Sequence, residues 1–72
     1  MENDARPGIL GKNIKKYRLL RELTQEKLAQ RAKVTHSSMS KLEAGFNDNP
    51  RIKTVQRIAA ALEVTVNDLL QE

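Results

Sequence analysis

Only Lys33 and Val34 separate two short segments of helical periodicity, and this spacing constrains the fold more than any other feature of the chain. In Gln25–Ala32 the apolar residues Leu28, Ala29 and Ala32 share one face, and in His36–Ala44 Met39 and Leu42 do the same, at the three-and-four spacing of amphipathic helices. Thr24 and Thr35 precede the two segments, each with a side-chain oxygen that can accept from the free amides of a first turn. A two-residue connection is too tight for antiparallel packing, so the helices must cross steeply. Such a crossing needs a small residue at the contact, which Ala29 supplies, and inward apolar residues, here Leu28, Val34, Met39 and Leu42.

The flanking sequence supplies three more helices. Leu10, Ile14 and Tyr17 set out a first helix that should stop near Glu22, with Lys12, Lys15, Lys16 and Arg21 mostly elsewhere around it. Gly45 ends the third helix as a residue able to take positive φ, and Phe46-Asn47-Asp48-Asn49-Pro50 is turn chemistry throughout. A fourth helix over 51–63 buries Ile52, Val55, Ile58, Ala59 and Leu62. Val64 then packs inward and Thr65 caps a last short helix, Val66–Leu70. No strand pattern and no repeat is visible. The expectation is an all-α fold of five helices over residues 9–72, behind a flexible arm, residues 1–8, that ends in Pro7-Gly8.

At 72 residues and 8.2 kDa the chain is one small domain or a fragment, and 39% hydrophobic with 31% charged residues is the balance of a soluble folded protein. Without cysteine it has no disulfide framework and no thiolate metal site, and a single histidine cannot assemble a zinc site within one chain. No metal or other cofactor is expected. The longest apolar run, 58–62, falls far short of the roughly 18 to 20 residues that cross a bilayer. The first ten residues carry Glu2 and Asp4 and no apolar stretch of a secretory signal, so the expected location is cytoplasmic.

The net charge of +4 is unevenly placed: residues 12–57 carry +8, whereas the two ends are negative. A cationic middle suits a face that meets phosphate. The third helix leaves His36, Ser37, Ser38, Ser40 and Lys41 outside, all short polar or basic groups. A helix about 10 to 12 Å across fits a B-DNA major groove about 12 Å wide, where such side chains reach base edges. The same serines with His36 do not make a catalytic site, because no orienting acid or oxyanion hole accompanies them, and no enzyme activity is expected. Tyr17 and Phe46 are the only aromatics, too few for a single-stranded stacking platform. Tyr17 is assigned to the core, and Phe46 either covers the core edge or meets a partner subunit.

Four motifs in order, Ile14-x-x-Tyr17-Arg18, Leu23-Thr24-Gln25-Glu26-x-Leu28-Ala29, Met39-Ser40-x-Leu42-Glu43-x-Gly45 and Ile58-Ala59-x-Ala61-Leu62-x-Val64, resemble the phage-repressor and Cro class of helix-turn-helix proteins, also called the xenobiotic-response-element family. The resemblance covers about residues 10–70 and implies a lambda-repressor-like five-helix domain whose third helix reads double-stranded DNA. It further implies a homodimer on a palindromic operator, acting as a repressor or controller protein. Carried onto this chain, Thr35, His36, Ser37, Ser38 and Lys41 become the base-reading set, Lys41 facing guanine and His36 donating to a purine or a phosphate. Gln25, Ser40, Asn47, Asn49 and Arg51 become phosphate contacts, and Arg18 with Glu43 a structural ion pair. The chain departs from the family at Lys33 and Glu22, where glycine or asparagine is usual, at Ala44, which lacks a polar side chain, and at Asp48, an acid in the clamp loop. The end of the fourth helix with residues 66–70 is the expected subunit contact. Antitoxin-type domains of this class bind other proteins, and a protein-interaction module is the alternative reading.

Overall fold

Threonine hydroxyls start three of the helices. In a computed structural model that describes residues 8–46 and 49–72, the side chains of Thr24, Thr35 and Thr65 accept from the backbone amides of Lys27, Ser38 and Asp68, each at 3.0 Å. The elements are α1 (Gly8–Leu20), α2 (Gln25–Ala32), α3 (His36–Ala44), α4 (Ile52–Leu62) and α5 (Val66–Leu70). At α5 the cap is reciprocal, since Asp68 also accepts from the Thr65 amide at 2.9 Å. The Thr65 amide first, and the nearby Thr65 hydroxyl second, hold the Asp68 carboxyl below the usual carboxylate range.

Four helix boundaries differ from the sequence expectation by one or two residues. Gly8 is the first residue of α1, so it does not belong to an arm, and residues 1–7 lie outside the described residues. The helix also ends at Leu20, two residues before Glu22. Arg21, Glu22 and Leu23 turn the chain through amide bonds to Tyr17, Leu19 and Arg18 carbonyls at 3.0 Å, with Glu22 at φ 58°. α4 is bounded by Arg51 as N-cap and Glu63 as C-cap, one residue inside each expected end.

α2 and α4 end alike. Lys33 and Glu63 take left-handed backbone (φ 60° and 61°), and the next residue sends its amide back to a helical carbonyl: Val34 to Ala29 at 3.0 Å, Val64 to Ala59 at 2.9 Å. Each half-buried valine then packs against the core. Two satisfied carbonyls and a buried valine offset the strain of a side chain at positive φ, a cost of order 1 kcal/mol. Lys33→Gly removes that strain without removing a contact, so its melting temperature is expected to equal or exceed that of the parent. A clear drop in a thermal scan would contradict the strained-turn account.

Ile14, Leu28, Met39, Leu42, Ile58, Leu62 and Leu69 form the fully buried centre, joined by Leu23, Ala29, Ala32, Val55 and Ala59. Leu10 and Tyr17 lie half-buried against it. α1 packs on α3 and α5, and α2 on α3 and α4. The α1–α3 contact is made at Gly11, where an added Cβ would fall on the Leu42 carbonyl and lie 3.1 Å from Glu43 Cα. Long-range bonds close the outer end of the bundle: Asn13 Nδ2 donates to Leu69 O at 2.8 Å and Gln71 O at 2.6 Å, and Arg21 Nε donates to Leu62 O at 2.9 Å. These carbonyls at or just past the ends of α4 and α5 lack a partner within their own helices.

Candidate nucleic-acid interface

α3 is two-faced. Met39 and Leu42 are buried, whereas His36, Ser37, Ser38, Ser40 and Lys41 are all exposed. Buried Leu28 and Ala29 of α2 pack near α3 across the Lys33–Val34 turn, and the burial of Met39 and Leu42 leaves this face turned away from the core. Lys27, Arg31, Lys33, Lys41, Arg51 and Lys53 are exposed on α2, on α3, at the start of α4 and in the adjoining turns, while Glu63, Asp68 and Glu72 gather at and beyond the C-terminal end of α4.

The base of α3 is tied to α1 and α2 by one polar chain. Arg18 Nε donates to Glu43 Oε2 at 2.7 Å and Arg18 Nη2 to Glu43 Oε1 at 3.1 Å, with the two side chains only 11% and 4% exposed. The third guanidinium nitrogen, Nη1, donates to Leu23 O at 2.7 Å, closing the α1–α2 turn. Gln25, half-buried at the start of α2, donates from Nε2 to Glu43 Oε1 at 3.1 Å, and its Oε1 lies 3.3 Å from His36 Nε2. A primary amide has two N–H groups, so Gln25 keeps one for a ligand beside the free amides of the α2 N-terminus.

Thr35 and Ser38 are partly engaged with each other. The Thr35 hydroxyl accepts from the Ser38 amide and donates to Ser38 Oγ at 2.9 Å, which leaves Ser38 its own O–H and Thr35 its methyl for an outside contact. A shallow cleft brings these two together with Asn49 and Arg51, and adds Lys33 and Thr54, neither of which the sequence placed among the DNA contacts. Arg51, the N-cap residue of α4, is exposed and makes no side-chain cap hydrogen bond. Asn47 and Asp48 of the same turn lie outside the described residues. Ser40 is exposed on α3, and Ala44, beside Gly45 at φ 85°, is exposed without a polar group.

A second surface is apolar. Leu70 and Ile52 are 55% and 60% exposed and line one groove with Leu10, Pro50 and Val66. Leu69 is fully buried in the monomer, and the end of α4 shows no large exposed apolar residue, so the apolar surface beside α5 adjoins the start of α4 rather than its end. Phe46 is 84% exposed and covers no core edge.

A family model described as helix-turn-helix matches residues 14–69. The HTH-type transcriptional regulator SinR of Bacillus subtilis (strain 168) is 34% identical over 64 residues, which span 89% of this chain and 58% of SinR. A crystal structure of SinR, the master regulator for biofilm formation, in complex with DNA matches with a TM-score of 0.83 at 34% identity, covering 86% of this chain and 98% of that one. The complex of SinR with the SinI protein contains a chain matching at TM-score 0.84 and 35% identity, covering 88% of this chain and 61% of that one.

Proposed function

Because the chain belongs to the Cro/C1-type helix-turn-helix family, we propose that it is a sequence-specific double-stranded DNA-binding transcriptional regulator that reads the major groove with α3. The observation that carries this reading is the exposed, polar face that His36, Ser37, Ser38, Ser40 and Lys41 form on α3, set among exposed lysines and arginines. Lys41 is assigned to guanine O6 and N7, and Ser37, Ser38, His36 and the Thr35 methyl to neighbouring base edges. Gln25 through its second N–H, Ser40, Asn49 and Arg51 are assigned to phosphates, with Asn47 of the same turn. Arg18 and Glu43 hold the helix and touch no DNA. The protein acts without chemistry of its own, in the cytoplasm. As a homodimer it would place two copies of α3 about 34 Å apart on a palindromic operator. The groove beside Ile52 and Leu70 is the surface available for the subunit contact.

Selection of bound sites from random duplex DNA tests the reading. The parent is expected to enrich one motif. Lys41→Ala should lose about 1 to 3 kcal/mol of discrimination at a single base pair, while Gln25→Ala should weaken binding generally and leave discrimination at the Lys41 base pair intact. Unchanged discrimination by Lys41→Ala would remove that residue from the readout. The second reading, a module whose principal partner is a protein, is favoured by the apolar groove at Ile52 and Leu70 and by the SinR–SinI complex. Ionic strength separates the two, since DNA affinity falls steeply with salt and an apolar protein contact hardly responds.

A further inference from the structure

We infer that the neutral His36 ring reads its base pair as a hydrogen-bond acceptor, through Nδ1, and so selects the amino group of adenine or cytosine; this rests on the proposal that α3 enters the major groove. The Arg18 guanidinium can only donate, and it donates to both Glu43 oxygens, at 2.7 and 3.1 Å. A carboxylate so paired can only accept from Gln25, which fixes the orientation of the Gln25 amide: Nε2 faces Glu43 Oε1 at 3.1 Å. The amide oxygen is then turned to His36 Nε2, 3.3 Å away, and an amide oxygen only accepts. Nε2 must therefore carry the proton. Neutral imidazole has one donor and one acceptor, so the lone pair belongs to Nδ1.

His36 is exposed in the first turn of α3, the end of a recognition helix that meets base edges. In the major groove the amino donors are adenine N6 and cytosine N4, whereas guanine O6 and N7 and thymine O4 are acceptors. An acceptor at His36 selects the first pair, and a donor at Lys41, five residues on, selects the second kind. Gln25 acts here as a positioning residue: it sets which ring nitrogen is presented, in addition to its own phosphate contact. The donor role the sequence suggested for His36 is already taken by Gln25.

The chain has a single histidine, so its ring nitrogens can be observed without assignment ambiguity in a 15N-histidine sample. At pH 8 the free protein is expected to show Nε2 protonated and Nδ1 bare, and Gln25→Ala to raise the share of the other tautomer. Site selection on the parent and on His36→Ala then identifies the base pair that His36 reads, as the position whose preference disappears. Each pair carries one major-groove amino group, on its adenine or its cytosine, and His36 is expected to accept from it. Replacing that adenine by purine, or that cytosine by 2-pyrimidinone, removes only the amino group and should weaken the parent about fivefold and His36→Ala not at all. A spectrum dominated by protonated Nδ1, or indifference to loss of the amino group, overturns the inference while leaving DNA binding intact. Absence of any enriched duplex overturns the major-groove reading, and this inference with it.

Discussion

Arg18→Ala is expected to lower the unfolding free energy by about 3 to 5 kcal/mol. The loss comes less from the attraction of the pair than from what remains. Among the described residues, the Glu43 side chain, 4% exposed, would keep only the Gln25 amide as a side-chain partner, and the Leu23 carbonyl would lose the guanidinium N–H that satisfies it. Small domains have roughly 5 to 15 kcal/mol in total, so urea titration should show a large fall in midpoint. Replacing both members by apolar residues of similar volume, Arg18→Met with Glu43→Leu, removes the stranded charge and should recover most of the loss. An unchanged midpoint for Arg18→Ala would mean that the pair does not hold α1 against α3.

Gly11→Ala is the second large effect, and its sign is informative. In the middle of a helix alanine is favoured over glycine by about 1 kcal/mol, so propensity alone predicts stabilisation. The packing predicts the opposite, because the new Cβ would fall on the Leu42 carbonyl, a backbone atom that no rotamer change can move aside. α1 and α3 would have to separate along the line that also carries the Arg18–Glu43 bonds. We expect a net loss of about 1 to 3 kcal/mol, the usual range for overpacking, measured by the same titration. A gain in stability would show that the two helices are not in backbone contact.

The helices with a threonine before them were legible in the sequence to the residue: α2, α3 and α5 begin where Thr24, Thr35 and Thr65 say they must. Local chemistry decides those boundaries, because a hydroxyl either meets the first-turn amides or does not. The outer face of α3 was equally legible, as what remains when Met39 and Leu42 turn inward. The Arg18–Glu43 contact, 25 residues apart in sequence, was accessible only through the family resemblance. Gly11 was missed because a glycine in a periodic segment looks like a weak point, although it also marks a place where another backbone comes close. Asn13 and Arg21 were missed for a different reason: their partners are carbonyls 41 to 58 residues away, and no spacing rule connects them. Glu63 was overlooked as a left-handed residue, yet the recurrence of Val-Thr after both Lys33 and Glu63 was a signal that the same turn is used twice. The hydroxyls of Thr35 and Ser38 illustrate a further limit, since a sequence names polar groups without saying which of them the fold has already engaged.

The most direct test of the central claim is methylation interference with dimethyl sulfate on a selected duplex. This reagent marks guanine N7 in the major groove and adenine N3 in the minor groove, so a single gel reports which groove the protein occupies. Loss of binding on guanine N7 methylation, in two clusters about 34 Å apart along one side of the duplex, is the predicted result. Interference confined to adenine N3, or binding indifferent to methylation in either groove, would contradict entry of α3 into the major groove.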